Sequence, residues 1–246
     1  MCDQIRRLDA GIGEFLAFID GLGLRVLLVV TGDHGGSDFP ERLVRQGFAT
    51  AKRINPRQLL AGIAAEVRQQ LGLDHEALVS PDSVQFYAVD KDGKALDEPL
   101  RGKAIEAGLA AFGRRPEIEQ AFGLAELLDH KITASAVSDY SLKDRFSQSA
   151  MAGRTGDIVV AYKSGISVAP IRPTRFIMGH AGPYHHDTAV PIIFWWRGAK
   201  PQTRVLPVAT TSIAPTLANA IGVKTPGDLD GSCLDLGYPE APACKR

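Results

Sequence analysis

Arg25-Val-Leu-Leu-Val-Val30, running straight into Thr31-Gly-Asp-His-Gly-Gly36, decides the reading of this chain. The first half is a short, continuous, β-branched apolar run, which is what a central parallel strand buried on both faces requires. It stops abruptly in a polar, glycine-rich loop. Open α/β sheets place their ligands beyond the carboxyl ends of their strands, so this loop is the first place to look for chemistry.

Working outward, Ile5, Leu8, Ile12, Phe15, Leu16 and Ile19 recur at three- and four-residue steps and predict an amphipathic helix over 4–21, stopped by Gly21 and Gly23. A second helix is expected over 56–71, with Asn55 as its cap and Pro56 in its first position. Ser83 to Val89 reads as a strand leading into the turn Asp90-Lys-Asp-Gly93, and helices are expected over 100–112 and 116–129. Asp157 to Tyr162 and Ala189 to Trp195 read as further strands, the latter at an edge or bulge because of Pro191. A last helix spans 212–221 and is closed by Gly222. No repeat, low-complexity segment or linker interrupts the pattern, so residues 1–246 are read as a single domain of α/β class.

The chain has 246 residues, 45% hydrophobic and 23% charged, with 25 Gly and 15 Pro. That balance excludes collagen-like, coiled-coil and largely disordered architectures. Lys plus Arg and Asp plus Glu both total 28, so no net field favours nucleic acid or an anionic membrane, and neither is expected as a partner. The longest apolar run, Leu24 to Val30, is interrupted by Arg25 and is too short to span a bilayer. The stretch MCDQIRRLDAGIGEF has no apolar signal-peptide core. Of the three cysteines none forms a CxxC pair, which excludes a zinc–thiolate site. Cys233 and Cys244 fit a disulfide in an oxidising compartment or two thiols in a reducing one, and Cys2 stands alone.

Two clusters could carry chemistry. Asp33 and His34 offer a carboxylate oxygen and an imidazole nitrogen, suitable ligands for zinc or manganese, and the flanking glycines let the backbone turn both inward. Gly179-His-Ala-Gly-Pro-Tyr-His-His-Asp187 holds three of the six histidines. His180 is the best ligand there, because Gly179 and Gly182 leave it room. His185 and His186 are neighbours, so one would point away from any site the other joins. Asp187 is better placed to hold the loop or to orient a ligand histidine from behind. His75 and His130 sit at helix ends and read as structural or solvated.

In order along the chain stand Thr31-Gly-Asp-His-Gly35, Gly156-Asp-Ile-Val-Val-Ala-Tyr-Lys163, His180-Ala-Gly-Pro-Tyr184 with Asp187 and Val190-Pro-Ile-Ile-Phe194, and Thr211-Ser-Ile-Ala-Pro-Thr-Leu-Ala218 with Gly222. Together they resemble the C-terminal half of an alkaline phosphatase superfamily enzyme, nearest to the monomeric bacterial alkaline phosphatases and the type I phosphodiesterase/nucleotide pyrophosphatases. The resemblance implies an alkaline-phosphatase-like fold with a mostly parallel central sheet flanked by helices. It also implies a zinc-dependent hydrolase of phosphate esters, acting on monoesters or diesters through two zinc ions per complete site. Asp33 and His34 correspond to ligands of one zinc and His180 to a ligand of the other. Two metals about 4 Å apart suit in-line phosphoryl displacement, and a Thr or Ser nucleophile is phosphorylated and then released by hydrolysis. The family further implies a small phosphate ester as substrate, a monomer when complete, and a periplasmic or secreted location.

Departures from the family pattern matter as much. An early Asp ligand, the Thr or Ser nucleophile and an Asp-x-x-x-His pair are expected before the strand, and nothing ahead of Asp33 supplies them. The Ala after His180 and Ser212 before Ile213 also differ from the common motif forms. The catalytic nucleophile is therefore unknown: Thr31, as the last strand residue, is expected to satisfy backbone groups, and Thr188 and Ser37 are no better. On this reading the chain is an incomplete fold, expected to be inactive and to expose apolar surface. The alternative is a non-catalytic metal-binding remnant; a relation to the cofactor-independent phosphoglycerate mutases has no motif of its own here.

Overall fold

The computed structural model describes residues 2–168, 179–180, 182–239 and 241–244. In chain order the elements are α1 (Cys2–Gly21), β1 (Leu27–Thr31), α2 (Pro40–Arg45), β2 (Lys52–Ile54), α3 (Pro56–Leu71), β3 (Leu78–Val79), β4 (Gln85–Ala88) and α4 (Leu100–Gly113). There follow β5 (Ile118–Gly123), α5 (Leu124–Leu128), α6 (Leu142–Ser149), β6 (Ile158–Tyr162), β7 (Ile166–Val168), α7 (His185–Thr188), β8 (Ile192–Trp196) and α8 (Ile213–Ala220). The chain forms two compact units, one of residues 33–190 and one of 1–32 with 191–246.

The core of the 33–190 unit is a four-stranded sheet in the order β3-β4-β6-β5. Every residue of β6 is buried, because both faces of the strand are covered. Ile158, Val160 and Tyr162 join Phe86, Phe112, Ile63 and Val67 in the larger cluster, built with α3 and α4. Val159 faces the other way, onto Phe122, Leu127 and the partly buried Phe146. Helix α3 begins where the sequence places it: the Asn55 side chain accepts from the backbone N–H of Arg57 and Gln58, and Pro56 occupies the first turn. Asp157, one residue ahead of β6, accepts from the Ala88 N–H at 2.8 Å and pairs with Arg101.

Three expectations are corrected. The α/β class holds, but the sheet is not mostly parallel: among the described residues β2–β7 is the one parallel pair, and β1–β8, β3–β4, β4–β6 and β5–β6 are antiparallel. β1 is not buried on both faces; it is half-buried and, among the described residues, pairs only with β8. The doubly covered strand is β6, an equally continuous apolar run, and which of the two lies inside depends on what packs over it. Finally, the helix expected over 116–129 is strand β5 followed by the short α5. Pairing with β6 claims Ile118 to Gly123 and outweighs the local helical pattern.

In the other unit α1 forms as expected but buries no residue, and Ile5, Leu8, Phe15 and Phe18 are exposed. α8 carries the C-terminal tail: Thr216 Oγ1 accepts from the Leu234 N–H, and Asn219 donates to the Pro242 carbonyl. Cys233 and Cys244 form a disulfide with Cα atoms 5.5 Å apart, which decides between the two states their spacing left open, and Cys2 is a free, exposed thiol.

Phe112 is fully buried and meets Phe86 with ring centroids 4.5 Å apart. Phe112→Ala is expected to cost about 3–5 kcal/mol of unfolding free energy in a urea titration. In the capping box of α6, Asp144 accepts from the Ser141 hydroxyl and backbone N–H and from His130. Those bonds, the Ser141 hydroxyl first, hold its carboxyl at about 2, against an ordinary 3.8. A carboxyl lowered by folding contributes stability that is fully present above the ordinary value and is lost as pH falls through the lowered one. Stability measured from pH 5 to 2 should therefore decline less steeply in Asp144→Asn than in the parent.

Candidate metal-binding site

The first loop follows β1 and the second precedes and includes α7, and they lie side by side because their backbones are hydrogen-bonded. Gly35 N–H donates to the Asp187 carbonyl at 2.7 Å, Gly36 N–H to that of His186 at 2.8 Å and Ser37 N–H to that of Gly179 at 3.1 Å. The Ser37 hydroxyl also donates to Gly179 O. Gly35 is needed for this approach, since a Cβ there would run into the His186 carbonyl.

The second loop is anchored in turn to the sheet. Tyr184 OH donates to the Tyr162 carbonyl at the end of β6, and Tyr162 OH donates to the Ser83 carbonyl, each at 2.7 Å. Burial pushes both phenols above their ordinary pKa, so they stay neutral donors. Arg145 on α6 reaches Thr188 Oγ1 at 3.0 Å.

This framework brings the rings of His34 and His180 together, stacked with centroids 3.8 Å apart and planes 13° from parallel. His34 Nδ1 lies 2.6 Å from the Gly35 carbonyl, which can only accept, so this contact favours the tautomer that donates from Nδ1 and leaves Nε2 as the nitrogen able to ligate. Nε2 is 3.6 Å from Asp33 Oδ2, while the Asp33 side chain is 88% exposed. The donor chemistry, one open carboxylate and imidazole nitrogen, suits a divalent transition metal. Among the described residues, no three such side chains are already gathered about one point.

Asp187 is buried. Its Oδ2 accepts from the Gly182 N–H at 2.8 Å and lies 3.6 Å from His186 Nε2, and it contacts neither His34 nor His180 through a hydrogen bond among the described residues. His185 and His186 are both exposed, and His186 lies over the Tyr184 ring. His75 binds Asp74 and His130 binds Asp144, as befits structural histidines. Tyr184, Ser37 and Arg145 are loop anchors that carry no sequence signal of that role. The partners of Ser37 and Arg145 lie 142 and 43 positions away, so no local pattern marks them.

Comparison with protein-family models finds no match. The chain is 30% identical, over a 251-residue alignment covering 99% of it, to alkaline phosphatase PhoD of Zymomonas mobilis subsp. mobilis (strain ATCC 31821 / ZM4 / CP4), and covers 42% of that protein. It is 28% identical to alkaline phosphatase PhoK of Sphingomonas sp, again over 99% of the chain and 44% of the relative. The chain thus spans under half the length of the curated relatives it matches. Among solved structures, wild-type alkaline phosphatase PafA superposes with a TM-score of 0.64 at 19% identity, over 85% of this chain and 37% of that one. A substituted mutant of PafA gives 0.65 at 18% identity and the same coverage. In sequence the chain is similar to part of two proteins named alkaline phosphatases, and in fold to part of a third.

Proposed function

We propose that Asp33, His34 and His180 are metal ligands of a zinc-dependent phosphate-ester hydrolase site. The observation that carries this reading is the stacking of His34 on His180, since the two motifs are far apart in sequence and nothing local requires them to meet. The names of the relatives, all alkaline phosphatases, favour phosphomonoesters over phosphodiesters as substrate. Two zinc ions per complete site, when bound, would supply Lewis-acid stabilisation of the charge on a transferring phosphoryl group. In this chain Asp33 and His34 would hold one ion and His180 would contribute to the other. Gly35 carbonyl holds the His34 tautomer whose Nε2 can ligate, and the loop-to-loop hydrogen bonds hold the two rings at one place. A periplasmic or secreted location accords with the Cys233–Cys244 disulfide. A small phosphate ester as substrate and, for the complete protein, a monomeric state complete the reading.

The second reading, a non-catalytic metal-binding remnant, is favoured by the hydroxyls near the site. Thr31 Oγ1 donates to Gly32 O, Ser37 Oγ to Gly179 O and Thr188 Oγ1 to Tyr184 O, so each is already committed to a carbonyl. No nucleophile is assigned in this chain, and little or no turnover by it is expected.

Titrating zinc alone into the chain should show binding that weakens about ten-fold or more, roughly 1.4 kcal/mol, in His34→Ala and in His180→Ala. Unchanged affinity in both variants would remove the proposed ligands. With zinc present, hydrolysis of an aryl phosphate ester at rates well above buffer would sink the remnant reading. Gly35→Ala should lose about 2–3 kcal/mol of stability by urea titration, through displaced loop hydrogen bonds. It should also weaken zinc binding although no proposed ligand has changed.

A further inference from the structure

Asp187 ties three parts of this site together, and one of its atoms is still unused. Its carbonyl receives Gly35 N–H and its own N–H goes to Tyr184 O, so its backbone joins the Asp33–His34 loop to the Tyr184 anchor. Its Oδ2 receives Gly182 N–H, which pins the turn just after His180. The fit is close, because a Cβ on Gly182 would collide with that same oxygen. The side chain is only 5% exposed, yet among the described residues Oδ1 is buried without a hydrogen-bond partner. A buried carboxylate oxygen left unpaired is costly, and such atoms in folded proteins generally await a donor. Asp187 and His180 line the same cavity, of about 130 Å³, together with Ser37, Lys163 and Tyr184.

Resting on the metal-ligand reading above, we infer that Asp187 Oδ1 is the acceptor for the His180 ring N–H once the other ring nitrogen of His180 takes a metal. An imidazole bound to a metal through one nitrogen carries a proton on the other. A carboxylate receiving that proton's hydrogen bond fixes the ring and raises its basicity. Asp187 is then a positioning residue with two separate tasks: Oδ2 fixes the backbone after His180, and Oδ1 fixes its ring. His34 needs no such partner, since Gly35 O already takes its Nδ1 proton. The two ligand histidines would be oriented by different means, one by a backbone carbonyl within its own loop and one by a buried carboxylate.

Asp187→Asn separates these tasks from bulk, because an amide of the same shape accepts through one atom only and must face a donor with a donor at either Gly182 N–H or His180. The chain, its Asn variant and His34→Ala are titrated with zinc alone, in competition with a chromophoric chelator. The zinc-loaded parent is also examined by nitrogen-15 NMR of the histidine rings. The inference expects Asp187→Asn to melt within a few degrees of the parent, to bind zinc about 10- to 100-fold more weakly, and to lose a slowly exchanging His180 ring N–H seen in the parent. A parent that binds zinc, loses it in His34→Ala and keeps it within two-fold in Asp187→Asn overturns the inference while leaving the ligand reading intact. A parent indifferent to His34→Ala overturns both. Should Asp187→Asn fail to fold, the parent decides: zinc-loaded His180 without a protected ring N–H overturns the inference.

Discussion

Four hydrogen bonds between the 33–37 and 179–187 loops are the constraint on which the candidate site depends. Even the innermost of them join residues 142 positions apart, and closing a flexible chain of that length costs on the order of 4 kcal/mol in entropy before any contact is made. The loops themselves cannot meet that cost, since each is polar and short. It is met by the apolar core of the 33–190 unit, whose buried clusters surround β6. The loop bonds then choose one arrangement of two segments that the core has already brought near.

The chain of support runs from β6 outward. Because β6 is covered on both faces, the carbonyl at its end is a fixed point, and Tyr184 uses it as an anchor for the second loop. Asp157 and Arg101 secure the start of the same strand, and Tyr162 secures Ser83. The site is thus one step removed from the fully buried strand of its unit. Side chains set on loops gain precision only from such anchoring, and here it is supplied by neutral phenols and backbone amides rather than by exposed ion pairs.

The unit of residues 1–32 and 191–246 is organised differently. Its two-stranded pairing is half-exposed, α1 buries no residue, and the tail is held to α8 by side-chain hydrogen bonds, with the Cys233–Cys244 link within it. Where little apolar surface is buried, a covalent link and a few polar contacts carry proportionally more of the order.

The sequence by itself determined the elements whose signals are local. Asn55 and Pro56 start α3 because a cap and a fixed φ act within one turn; the Asp90–Gly93 turn forms; and α1 and α8 follow from periodicity alone. The two candidate ligand clusters were equally legible, since residue type and flanking glycines are local facts. What tertiary structure decided is everything that depends on a distant partner. β1 and β6 carry similar apolar runs, and only the helices packed over β6 make it the buried one. Ile118 to Gly123 is a strand because β6 lies beside it, against its own helical pattern. His34 meets His180, and Asp187 serves Gly182 while holding an oxygen unused, because loop backbones bond across the fold. A hydrogen bond between residues so far apart leaves no periodic trace in either segment, so only the folded chain could disclose it.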